Sequence, residues 1–137
     1  MSDTVRMIDY FVLDVSNKPG EGARVLGPLV AEGVNLLAFT GFPRGRRAQI
    51  DLIAEDLAAF KAAAKNAKLK LKAPKKGFLV QGDDRPGAVH DILKKLSDAK
   101  INVTALDALS AGSGRWGAIL WVKPGDVKKA AKALGAS

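Results

Sequence analysis

The strongest constraint on this chain is a repeat. Asn17-Lys18-Pro19-Gly20 returns as Asp84-Arg85-Pro86-Gly87. Fifteen residues after each Gly stands an Asn among apolar neighbours, in Val34-Asn35-Leu36 and Ile101-Asn102-Val103. Pro, Gly and Asn all recur at an offset of 67 residues. Three matches at one spacing favour a duplicated unit. The chain is therefore read as two small repeats, residues 1–74 and 75–137.

Periodicity gives each repeat its elements. In the first, Val5 to Val15 is apolar, β-branched and aromatic, and predicts a strand. Gly20 to Glu32 carries a helical stripe of Val25, Leu26, Leu29 and Val30, with Gly33 as a stop signal. Asn35 to Phe42 and Ala48 to Leu52 predict two strands around the turn residues Pro43-Arg44-Gly45-Arg46. Glu55 opens an alanine-rich helix to about Asn66, and Leu69 to Lys72 alternates as a short fourth strand. The second repeat follows suit: strand Gly77–Gln81, helix Gly87–Ala99, strand Ile101–Leu109, strand Trp116–Val122, helix Pro124–Leu134. Its last strand is missing.

The order β-α-β-β-α-β implies an α+β fold, two ferredoxin-like units whose antiparallel sheets carry helices on one face. The short link Ala73-Pro74-Lys75-Lys76 predicts a hairpin joining Leu69–Lys72 to Gly77–Gln81, and so one sheet of about seven strands. Val5 to Val15 is apolar on both parities, which invites another copy of the protein onto the open face.

The turn before each first helix has specific chemistry. Asn17 or Asp84 accepts from backbone amides and starts the turn. Pro suits a first helical turn. Gly20 or Gly87 lets a ligand or a backbone come close. The helix start offers free N–H groups and partial positive charge, a match for a small carboxylate. Asn35 and Asn102 add amides that both donate and accept. An amino acid needs that mixture. The plainer reading is that Pro-Gly only shapes the turn and Asn only caps it.

With these residues and this element order, the chain resembles the ACT domain family over residues 5–135. The first copy matches through Asn17-Lys18-Pro19-Gly20 and Gly33-Val34-Asn35, the second through Asp84-Arg85-Pro86-Gly87 and Ile101-Asn102-Val103. The resemblance implies a regulatory module, not an enzyme, that binds amino acids at interfaces between domains and pairs as a dimer. It places Asn17, Gly20 and Asn35 at one site and Asp84, Gly87 and Asn102 at the other. The second copy departs from the serine-binding pattern, because Asp84 stands where Asn is typical. A carboxylate there repels a ligand carboxylate and suits an ammonium. The resemblance implies a free-standing tandem protein with a small amino acid as ligand, a homodimeric form, and a partner enzyme or regulator. It implies no cofactor.

Composition excludes other classes. The chain has no cysteine and one histidine, His90, which removes disulfides, thiolate metal sites and cysteine nucleophiles. A catalytic base needs an oriented partner, and none is identifiable for His90. Asp83-Asp84 reads as turn chemistry, since no further ligands stand at metal spacing. No apolar run reaches the ~20 residues of a membrane span, and the first residues lack a signal-peptide pattern. A cytoplasmic location is expected. The net charge of +8 is spread over both repeats, and residues 61–76 hold seven lysines and no acid. Nucleic acid is the rival partner that this charge suggests. Trp116 and Trp121 are five apart on one strand and Tyr10 and Phe11 are adjacent, so neither pair shares a face to stack bases. A module that only dimerises or touches a partner protein is the other rival.

Overall fold

The computed structural model describes residues 3–137. Its strands are β1 (Thr4–Ser16), β2 (Leu36–Arg44), β3 (Arg47–Ala54), β4 (Lys75–Asp83), β5 (Ala105–Gly112) and β6 (Arg115–Trp121). Its helices are α1 (Glu21–Ala31), α2 (Leu57–Asn66), α3 (Ala88–Asp98) and α4 (Val127–Leu134), the last preceded by a 3-10 turn at Pro124–Asp126. The strand order is β2-β3-β1-β4-β6-β5. The chain divides into two compact units, one of residues 9–75 and one of residues 1–8 with 76–137.

In the unit of residues 9–75, β3 pairs antiparallel with both β1 and β2. Alternation sends Phe11, Leu13 and Val15 of β1 to one face, where they meet Val25 and Leu29 of α1 and Phe60 and Ala63 of α2. The Phe11 and Phe60 rings lie 5.1 Å apart. Val25 and Leu29 are four apart, so one stripe of α1 is buried. Asp56 caps α2 by accepting from the Ala59 amide at 3.0 Å.

In the other unit, β6 pairs antiparallel with β4 and β5. Phe78, Val80, Trp116, Ala118 and Leu120 face Ile92 and Leu96 of α3 and Ala130 and Leu134 of α4. Val5 of β1 joins this core. The first residues of β1 run beside β4, the place that a fourth strand of the second repeat would fill in a βαββαβ unit. The C-terminal residue is tied there too, since Ser137 donates to the Val5 carbonyl and accepts from the Met7 amide, both at 3.1 Å. The first residues of β1 occupy that place in this unit.

Three sequence expectations are corrected. Leu69–Lys72 forms no strand: the Leu71 amide bonds locally to the Leu69 carbonyl at 3.1 Å, which uses a donor that a ladder requires. Leu69 and Leu71 still pack on the core of their unit. The hairpin across 73–76 therefore does not form, and the described residues make six strands instead of seven. Asn102 does not enter a strand, because β5 starts only at Ala105. Ile101 is a buried plug there, its amide bonded to the Leu96 carbonyl as α3 ends.

Candidate functional site

The turn between β4 and α3 is held by its neighbours. Gly87 caps α3 with φ of 86°, the left-handed region where glycine is favoured. A side chain there would meet nothing within 4 Å, so the backbone, and not crowding, requires glycine. Gly20 before α1 has φ of 89° and the same open surroundings. The Asp84 amide donates to the Gly114 carbonyl at 2.8 Å, and its carboxylate accepts from the Ser110 hydroxyl at 3.1 Å. Arg115 holds Asp83 at 2.8 Å. Arg85 turns away toward Asp3, with its two terminal nitrogens 3.0 and 3.1 Å from the carboxylate oxygens. The Trp116 indole N–H reaches the same carboxylate at 3.0 Å. The hydrogen bond from Arg85 holds the Asp3 carboxyl below its ordinary pKa against the opposing pull of burial, with help from Trp116.

Beside this turn lies an open groove of about 360 Å³. Asp84, Gly87, Val89 and His90 form one wall, and Leu109, Ser110 and Trp116 belong to the other. Among the described residues, the amides of Val89 and His90 make no backbone hydrogen bond. They are the free donors of a helix start. His90 is exposed, and its nearest polar partner is Asp91 at 3.5 Å.

The first repeat is built alike but furnished differently. Asn17 and Gly20 are exposed in the turn before α1. The first residue of α1 is Glu21, whose carboxylate accepts from the Ser16 hydroxyl at 3.0 Å and from Arg24 at 3.1 Å. Arg24 first, then Ser16, holds the Glu21 carboxyl low. The equivalent position in the second repeat, 67 residues on, is Ala88. The start of α1 thus carries the protein's own carboxylate, and the start of α3 does not.

Both Asn residues stand at the far ends of the helices. Asn35 is exposed just before β2, and its carbonyl accepts from the Glu55 amide at 3.0 Å. Asn102 is exposed in the loop after α3. A helix of eleven residues, the length of α1 and α3, spans roughly 16 Å. Within one repeat, the turn and the Asn therefore do not meet. Asp84 and Gly87 share a groove; Asn102 lies outside it. Sequence reasoning missed Leu109 and Ser110. One signal was present: Leu109 is 67 residues after Phe42, and both are exposed large apolar residues, 65% and 45% accessible.

Comparison with known proteins adds the family. Residues 78–136 match the model of the ACT domain. That stretch is the second repeat, which matches an ACT domain by itself. No curated protein sequence matches the chain. Among solved structures, protein BT0572 from Bacteroides thetaiotaomicron is similar over 96% of this chain and 88% of its own, at 16% identity and a TM-score of 0.81. The regulatory subunit of aspartate kinase from Thermus thermophilus is similar over 98% and 95%, at 13% identity and a TM-score of 0.61. Aspartate kinase from Clostridium acetobutylicum is similar over 95% of this chain and 33% of its own, at 19% identity and a TM-score of 0.53. These likenesses show the ACT-type fold over both units. ACT domains are regulatory modules, not catalytic ones. Among the described residues, no helix is long and apolar enough to cross a membrane.

Proposed function

We propose that this protein is a non-enzymatic, cytoplasmic regulator that senses a small amino acid through its ACT domain. The observation that carries the reading is the groove beside Gly87, where free helix-start amides face an acid and a hydroxyl. The ligand carboxylate takes the amides of Val89 and His90, and its ammonium takes Asp84 and Ser110. Leu109 receives an apolar side chain. Asn102 of a second copy closes the open side, which explains why the turn and the Asn of one repeat stand apart. A ligand that completes such a contact favours the paired state, and that shift is the signal. The similar regulatory subunit from Thermus thermophilus is described in a ligand-free form, which supports a ligand-dependent role here. At the first repeat, Asn17, Gly20 and Asn35 form the corresponding site, but Glu21 competes with a ligand carboxylate.

Calorimetry and thermal shift against each amino acid at millimolar concentration test the reading. A response confined to a few amino acids, and lost in Asp84→Ala, is expected. No response to any of them refutes it. A second reading is a dimerisation module without ligand, favoured by the matching exposure of Phe42 and Leu109 on β2 and β5. It predicts a dimer whose stability no amino acid changes. Direct nucleic-acid recognition has less support, since Trp116 and Trp121 are both buried and no base-stacking platform is formed from them.

A further inference from the structure

The unit of residues 9–75 has an edge that its own chain leaves unfilled. In β1 the carbonyl of Asp14 accepts from the Arg47 guanidinium at 3.2 Å, and that of Ser16 from the Lys18 amide at 3.1 Å. Arg44 and Arg47 pair across a two-residue turn, so Arg47 and Gln49 aim their backbone groups at β2, and Ser16 and Asp14 opposite them aim theirs at the outer edge of β1. Residues 67–74 run past this edge but, among the described residues, make no backbone hydrogen bond to it. Two grooves remain along it. One of about 310 Å³ lies between Val12, Asp14, Arg44, Arg47 and Lys72. The other, about 220 Å³, lies between Leu13, Asp14, Val15, Arg24, Lys68 and Lys70.

The charge along this edge is mainly positive, with the Asp14 carboxylate among it paired to Arg47. Arg24 is held by Glu21 and Arg47 by Asp14. Among the described residues, no ion pair involves Arg44, Lys68, Lys70 or Lys72. Arg44 donates only to Gln49, at 2.9 Å. Leu69 and Leu71 turn to the core while Lys68, Lys70 and Lys72, which alternate with them, stay exposed. The alternation leaves four uncompensated cations around an open strand edge, where backbone groups and positive charge coincide.

We propose that this edge of β1, from Val12 to Ser16, docks an acidic extended segment of a partner protein, which adds as a strand with its carboxylates against Arg44, Lys68, Lys70 and Lys72. Strand addition gives affinity through main-chain hydrogen bonds, and the alternate side chains give selection. An acidic peptide satisfies both features of the site. A nucleic acid satisfies only the charge, and no aromatic residue lines either groove. The site is independent of the ACT-domain groove and of its ligand.

The test is fluorescence anisotropy with a labelled peptide of alternating glutamate and valine. Two versions are N-methylated at alternate amides, one set for each edge of the peptide. Oligouridine and tripolyphosphate are the competing probes. The plain peptide is expected to bind, and one methylated version to weaken by at least about tenfold, since a blocked edge loses its ladder. Lys68→Glu/Lys70→Glu/Lys72→Glu should weaken binding by a similar factor or more. Lys70→Ala serves if the triple variant does not fold, and should show a smaller loss in the same direction. On binding, the amides of the Val12–Ser16 edge should gain protection from hydrogen exchange. Equal binding of all three peptides, tighter binding of oligouridine or tripolyphosphate, or no binding at millimolar peptide overturns the proposal.

Discussion

Asp3→Ala tests whether the first residues belong to the unit that holds the groove. The carboxylate is only 7% exposed and accepts from two groups. They differ in what they lose. Arg85 is 29% exposed, so water takes over its donors and its share of the loss is small. Trp116 is 4% exposed, so its indole N–H is left unpaired in the core. A buried donor without a partner costs about 1–3 kcal/mol. The variant should therefore lose about 2 kcal/mol, mostly through Trp116, and melt roughly 6 °C lower for a chain of this size. Urea unfolding followed by tryptophan fluorescence measures it. In a Trp116→Phe background the donor is already gone, and Asp3→Ala should cost less than half as much. Gly82→Ala reaches the same contact from the other side, since its Cβ would strike the Asp3 carboxylate and come within 3.0 Å of the Trp116 nitrogen. Its loss should overlap with that of Asp3→Ala. A cost for Asp3→Ala that is unchanged by Trp116→Phe refutes the reasoning.

Three further outcomes follow from the same geometry. The Tyr10 phenol is pushed up to about 12, first by burial and then by the charge of Asp51; the unfolded chain ionises first, so stability is full below about pH 10 and falls as pH rises from there, an effect that Tyr10→Phe should remove from alkaline melts. The Asp3 carboxyl is shifted the other way, so its contribution holds above the ordinary carboxylate range and is lost as pH falls through the lowered value; Asp3→Asn should flatten acid unfolding. Gly87→Ala should cost about 1–2 kcal/mol from the left-handed backbone alone, measured by urea unfolding, whereas Leu109→Ser on the surface should change stability by less than about 0.5 kcal/mol yet weaken ligand response or pairing.

The parts of the fold carried by local periodicity were legible. Val25 and Leu29 mark the buried stripe of α1, and Phe11, Leu13 and Val15 the core side of β1. What failed depended on long-range competition. Leu69 and Leu71 alternate like a strand and do bury against the core, but no local signal says whether the backbone between them reaches β1. Nor does any local signal place Val5 in the core of a repeat that begins seventy residues later. The turn glycines stand out in the sequence, and the structure adds a conformational reason for them. They were expected to make room for a close approach. Open space surrounds both, and the left-handed backbone requires them. Valine at either position would strain the chain whatever the ligand did, so Asp84, Ser110 and Leu109 are the better probes of the groove.

The difference between the two helix starts matters more than their likeness. Equal turns with equal glycines suggest equal sites, yet Glu21 and Ala88 occupy the same repeat position with opposite consequences. At α1 the positive helix end meets a carboxylate already fixed by Ser16 and Arg24. A ligand carboxylate arriving there meets like charge. At α3 the corresponding side chain is a buried methyl, and the charge that faces the groove is Asp84, held by Ser110. The second repeat thus separates the two functions that an amino acid needs, free amides at one end and an acid at the other. In the first repeat the acid stands at the helix start itself, fixed by Ser16 and Arg24. Glu21→Ala should therefore open the first turn to small anions, with nitrate or acetate titrated by NMR as the readout. If Glu21→Ala leaves the first turn as unresponsive as before, the carboxylate is not what distinguishes the repeats.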